Sequence, residues 1–124
     1  MANILLAEDD KSMLNFLVLA LERAGHNVTA KQSGLDASHE LNKGTDFDLL
    51  LTDIVMPGLD GLELAQKATE VYPNIKIMFI TGFAAMAIRS DSDETPENAK
   101  TMSKPFHLND LVEQVTNILS GKLT

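Results

Sequence analysis

Three short stretches constrain this chain more than anything else in it: "NILLAEDD" from Asn3, "FDLLLTD" from Phe47 and "IKIMFITG" from Ile75. Each carries a run of consecutive apolar residues and then stops on polar ones. Side chains alternate between the two faces of a strand, so a strand that is apolar throughout must be covered on both faces. Such strands belong to a parallel sheet with helices packed on each side.

The segments between the strands supply those helices. Met13, Phe16, Leu17, Ala20, Leu21 and Ala24 recur at helical spacing, with Asp10 as N-cap and Gly25 as the stop. "HNVTAK" reads as a short, weaker strand, and Leu35 to Leu41 as a modest helix ending near Gly44. Leu62 to Tyr72 is the next helix, closed by Pro73. "KTMS" is a minimal strand, and Leu108, Leu111, Val112, Val115, Ile118 and Leu119 give a last helix stopped by Gly121. Between them, "FAAMAI" offers a helical turn or two and "RSDSDETPEN" is acidic and broken by Pro96, so the fourth of five helices reads as weak or short. This alternation predicts an α/β fold, a five-stranded doubly wound parallel sheet in the order 2-1-3-4-5. The weak strand at Val28 falls at an edge. A length of 124 residues suits one domain over 1–124, with no output domain.

Composition narrows the class. Apolar residues at 44% and charged residues at 23% describe an ordinary globular protein. Cysteine is absent, which removes disulfides and thiolate metal sites and suits a cytoplasmic protein. No apolar run is long enough to predict membrane insertion. The net charge of −8 opposes binding to nucleic acid.

In doubly wound sheets, ligands lie beyond the C-terminal strand ends, at the switch point flanked by strands one and three. Those ends carry Glu8, Asp9 and Asp10, then Asp53, Thr81 and Lys104. Singly, each has an ordinary reading: a strand-terminal Asp shapes a turn, and an acidic triplet is solvated. Met13, Met56, Met78 and Met102 read as core filler, and His26, His39 and His107 share no metal-ligand spacing. Four polar strand ends at once point to a joint purpose. Two carboxylates about 5 Å apart repel by roughly 3 kcal/mol at an effective dielectric near 20, so three together raise at least one pKa or recruit a cation. Oxygen donors without His or Cys point to Mg²⁺. Lys104 offers a second positive charge and Thr81 a hydroxyl, a set suited to phosphoryl transfer with Asp53 as the attacking group.

At these spacings the residues resemble the receiver domains of two-component response regulators, which have a flavodoxin-like fold. "LLAEDD", "LLLTDIVMPGLDGLEL", "IKIMFITG" and "SKPF" fall in that family's motif order over the whole chain. The resemblance implies that Asp53 is the phosphoacceptor. It implies that Asp9, Asp53 and the Val55 backbone carbonyl bind Mg²⁺, with Glu8 acting through metal-bound water. Thr81 and Lys104 would grip the phosphoryl group, and Pro105 would aim Lys104, through a cis bond. Pro57 and Gly61 would shape the loop after Asp53, and Gly82 and Phe83 would follow Thr81 as switch residues. The phosphoryl donor would be a histidine kinase or histidine phosphotransferase, and the chain a signalling protein, not an enzyme in its own right. The wording of "TDIVMPGLDG", "KIMFITGFAA" and "SKPFHLNDLV" is similar to stand-alone cell-cycle receivers of the CpdR type. That group implies an adaptor for an AAA+ Clp protease, switched off by phosphorylation, working as a monomer or weak homodimer.

One position departs from the family: the residue three before Lys104, usually aromatic, is Thr101. We expect the segment 84–98 to be short or partly disordered and to form a specialised partner surface. Apolar Val55 and Phe83, each two residues beyond a site residue, predict slow self-hydrolysis of the acyl phosphate. Three rivals fit less well. An Asp-nucleophile Mg²⁺ phosphatase wants an aspartate where Val55 stands, a flavodoxin-like cofactor binder wants a phosphate loop in place of "EDDKS", and a pseudo-receiver would lack acceptor residues present here.

Overall fold

The computed structural model describes residues 2–82, 99–104 and 106–121. In chain order the elements are β1 (Asn3–Ala7), α1 (Lys11–Arg23), β2 (Asn27–Lys31), α2 (Gly34–Leu41), β3 (Leu49–Asp53), α3 (Gly61–Val71), β4 (Lys76–Thr81), β5 (Ala99–Ser103) and α4 (Leu108–Leu119). All four strand pairings are parallel, and the order is β2-β1-β3-β4-β5, as the alternating pattern predicts. The weak strand β2 is indeed an edge. The expected weak fourth helix at 84–98, Phe83 and Pro105 lie outside the described residues.

The apolar strands divide their side chains between two cores. Leu5, Leu50, Ile77 and Phe79 pack with Ala37 and Leu41 of α2 and Leu64, Ala65 and Ala68 of α3. Ile4, Leu6, Leu49, Leu51, Met78 and Ile80 pack on the opposite face with Leu14, Leu17, Leu21 of α1 and Leu111, Val115, Ile118 of α4. Neighbours along one strand thus belong to different cores, which is why these strands tolerate no polar position until their ends. Phe79 is 1% exposed and central to the first core. Phe79→Ala is expected to cost about 4 kcal/mol in urea unfolding, the usual range for emptying a buried aromatic site. A loss below about 1 kcal/mol would show that this core collapses around the gap.

Helix α1 corrects one expectation. Its buried stripe is Leu14, Leu17 and Leu21, whereas Phe16, placed by periodicity on the inward face, is 60% exposed. The helix is apolar at so many positions that two stripes compete. Packing against β1, β3 and α4 selects the one containing Leu14. Asp10 caps it as expected, its carboxylate accepting the Met13 N–H at 3.1 Å. Gly25 and Gly44 follow α1 and α2 with positive φ, as helix stops require. Met56 is buried in the first core and Met78 in the second, where half-buried Met13 and Met102 pack against the same cluster.

At the N-terminal end of the sheet, half-buried His26 accepts the Ala2 amide hydrogen on Nδ1 at 3.3 Å. Burial holds its pKa below the ordinary histidine value of 6.5. The folded state therefore binds this proton less readily than the unfolded chain, so its contribution to stability is full above about pH 6.5 and falls as pH drops through the lowered value. Urea midpoints should decline from about pH 7.5 to about pH 5.5, and His26→Gln should flatten part of that decline. An unchanged slope in the variant would assign the decline to other groups.

Candidate functional site

The site is assembled by the residues that follow each strand, and the sheet's own backbone ladder fixes them. The Glu8 N–H bonds the Lys31 carbonyl at 3.1 Å, the Ile54 N–H bonds Ile80 at 3.1 Å, and the Lys104 N–H bonds Thr81 at 2.7 Å. Glu8, Asp53, Thr81 and Lys104 are thereby held at one end of the sheet, where strand order changes direction around β1 and β3.

Glu8 is fully buried. Its Oε2 accepts the Asp10 N–H at 3.0 Å and its Oε1 accepts from Lys104 Nζ at 3.0 Å. Asp53, 6% exposed, accepts the Val55 N–H on Oδ1 at 3.1 Å and Lys104 Nζ on Oδ2 at 2.9 Å. One ammonium thus bridges two carboxylates from different strands. Burial pushes the Glu8 carboxyl above its ordinary range, Asp53 nearby adds to that, and the bonds from Asp10 and Lys104 recover only part. Burial alone would lower Lys104, but its bonds to Asp53 and Glu8 outweigh it and hold the ammonium above the usual lysine value. The causes differ: Glu8 is raised chiefly by its burial, with Asp53 adding to it, whereas Lys104 is raised by the two acids it serves.

Asp9 is exposed at the rim. One oxygen each from Glu8, Asp9 and Asp53 lies within 4.8 Å of the others. Three carboxylates so close exceed the single charge of Lys104. At an effective dielectric near 20 each pair repels by about 3 kcal/mol, so the cluster favours a cation. The donors are all oxygen, which fits a hard divalent ion such as Mg²⁺ and not a zinc-type centre.

The other expected residues divide. Thr81 is buried at its strand end, and its hydroxyl donates to the Gly82 carbonyl at 3.4 Å. Val55 is 63% exposed, and Pro57 and Gly82 are exposed as well. Gly61 is buried at the start of α3, where its N–H bonds the Ile54 carbonyl at 2.8 Å. A Cβ there would collide with the Asp53 carbonyl, so glycine is required by space. Thr101 is half-buried on β5, opposite Phe79 of β4. Two contributors had escaped the sequence reading: the Asp10 amide, which holds Glu8, and the Val55 amide, which orients Asp53. Both are backbone groups and leave no mark in residue identity. A broad depression at the opposite end of the sheet, lined by Ala2, His26, Asp48, Tyr72 and Lys76 among others, contains none of these acids.

A doubly wound sheet with an acid cluster and a lysine at its switch point defines a class. The response regulator receiver domain model matches residues 4–116, and the chain belongs to that family. Its similarity to one member is much closer. The response regulator receiver protein CpdR of Brucella abortus is 57% identical over 119 residues, covering 96% of this chain and 98% of that one. The sensor kinase CckA of the same organism is 32% identical over 95% of this chain but only 12% of its own length. Among solved structures, a response regulator receiver protein from Sinorhizobium medicae superposes with TM-score 0.87 at 33% identity, covering 96% of this chain and 94% of that one. The receiver domain of the hybrid histidine kinase CckA gives TM-score 0.78 at 28% identity, covering 94% and 98%.

Proposed function

We propose that this chain works as a response regulator whose phosphoacceptor is Asp53. The observation that carries this reading is the bridge of Lys104 to both Asp53 and Glu8, with Asp9 within reach, at the strand ends. Glu8, Asp9 and Asp53 would hold Mg²⁺, with Val55 lending its backbone carbonyl. Glu8 is fully buried, 0% exposed against 6% for Asp53, which favours an indirect role for that residue. Bound Mg²⁺ supplies neutralisation of the acids and of the incoming phosphoryl oxygens.

The chain's own residues do the rest. A carboxylate oxygen of Asp53 displaces the donor's leaving group at phosphorus, and the new P–O bond makes an acyl phosphate. Val55's amide holds one oxygen of Asp53 and so orients the other. Lys104 already rests on Asp53, so a phosphoryl group carrying roughly −1.5 to −2 charge arrives beside an ammonium held in its charged form. Among the described residues, the Thr81 hydroxyl has a long 3.4 Å contact to give up when it turns toward the phosphoryl oxygens. Moving a two-state balance from 1:99 to 99:1 requires roughly 5.5 kcal/mol, a scale that charge-assisted bonds from Lys104 and Thr81 approach together.

The phosphoryl donor is then a histidine kinase or histidine phosphotransferase. The similarity to CpdR supports a cytoplasmic cell-cycle role as an adaptor that phosphorylation removes from an AAA+ Clp protease. The readout passes through protein contact, not nucleic acid, which the −8 charge disfavours. No described helix is long and apolar enough to cross a membrane. Exposed, apolar Val55 favours a long-lived acyl phosphate, a reading the sequence extends to Phe83, which lies outside the described residues. Incubation with acetyl phosphate and Mg²⁺ followed by intact-mass measurement tests the reading. One stable, hydroxylamine-labile phosphoryl group supports it, and turnover of acetyl phosphate without adduct would favour the Asp-nucleophile phosphatase instead.

A further inference from the structure

We propose that Gly34, at the start of α2, is a positioning residue for the acid cluster, acting through the β3–α3 loop. The inference rests on the reading of Asp53 as a Mg²⁺-assisted phosphoacceptor. Gly34 is buried, and a Cβ built on it would run into the Leu59 carbonyl oxygen, 3.0 Å from that carbonyl's carbon and 3.1 Å from the Leu59 Cβ. Conformation does not call for glycine here. The positive-φ glycines are Gly25, Gly44, Gly58 and Gly121, and Gly34 is not among them. On helix propensity alone, alanine would be the better residue at this place. What glycine provides is room for a backbone carbonyl 25 residues away in the chain.

Leu59 lies in the loop that follows Asp53. Ile54 and Met56 anchor the inner side of that loop in the core, and Leu59 packs against the same cluster. At one end the Val55 N–H is bound to Asp53 Oδ1, and the Gly61 N–H is bound to the Ile54 carbonyl. At the other end the loop rests on Gly34. Helix α2 is the firmer partner: Ser33 caps it by accepting the Asp36 N–H at 3.1 Å, and Ala37 and Leu41 are fully buried. Leu59, by contrast, follows Gly58, whose φ is +76° and whose surroundings are open. A methyl group at position 34 therefore displaces the loop and not the helix. The displacement reaches Val55, whose amide orients Asp53 and whose carbonyl is the fourth donor of the proposed set. Mg²⁺ demands near-ideal octahedral geometry, so small shifts of its ligands are felt strongly.

The test is Gly34→Ala, compared with Ile118→Val, which loosens the core on the opposite face of the sheet. Mg²⁺ titration followed by amide NMR and urea unfolding are measured for both and for the wild type. Gly34→Ala is expected to stay folded, to bind Mg²⁺ about tenfold more weakly, and to shift the Val55 amide before any metal is added. Ile118→Val should lose stability while keeping wild-type Mg²⁺ affinity. Wild-type affinity in Gly34→Ala, whatever its stability, overturns the proposal. If Gly34→Ala does not fold, the wild-type titration decides. The Gly34 and Leu59 amides should move with that of Val55, and silence at both while Val55 moves overturns the inference. Failure of the wild type itself to bind Mg²⁺ or accept phosphate overturns the reading of the site, and this inference with it.

Discussion

Asp53→Ala is expected to lose the phosphoryl adduct entirely, reducing the rate of labelling by acetyl phosphate by more than about a thousandfold, the scale of nucleophile removal. The geometry explains why neighbouring acids do not substitute. Glu8 is fully buried, so an incoming donor does not reach its oxygens, whereas Asp53 keeps 6% of its surface open at the strand end. Asp9 is exposed, and among the described residues no hydrogen bond holds its carboxylate as the Val55 amide and Lys104 hold Asp53. In-line attack depends on such orientation. The variant should remain folded, because Lys104 keeps its partner in Glu8. Intact mass under phosphorylating conditions checks the outcome, and an adduct of wild-type yield in Asp53→Ala would move the acceptor to another residue.

Lys104→Met tests the electrostatics of the same cluster. Methionine retains much of the aliphatic stem, so the change removes charge more than packing. It leaves Glu8 and Asp53, 0% and 6% exposed, facing each other without the shared ammonium. Breaking a buried pair costs about 3–5 kcal/mol, and the partial exposure of Lys104 reduces that to about 2 kcal/mol. In EDTA the variant should therefore unfold at distinctly lower urea than the wild type. Added Mg²⁺ should restore more stability to the variant than to the wild type, since the ion then faces the carboxylates without a competing ammonium. Equal gains with Mg²⁺ in both proteins would show that Lys104 and the ion do not share these acids.

The site was legible in the chain to an unusual degree because its residues sit where hydrophobic runs end. A strand buried on both faces admits polar groups only at its terminus, so "LLLTD" locates Asp53 and "IKIMFIT" locates Thr81 without any structure. Phe16 shows the opposite case. Helix α1 is apolar around more than half its circumference, and periodicity alone gave no reason to prefer the Leu14 stripe over one containing Phe16. The hydroxyl of Thr81 was likewise located but not aimed: its turn toward Gly82 is a rotamer, decided by neighbours.

What the sequence determined by itself was the layered fold, the strand order and the identity of the residues at the functional end, because those follow from local burial and chain alternation. What only the tertiary structure decided was how these residues meet. Lys104 lies 96 positions from Glu8 and 51 from Asp53, yet touches both. Gly34 shapes the loop beyond Asp53 by leaving out a single carbon. Contacts of this kind depend on distances between segments remote in the chain, and packing alone sets those distances.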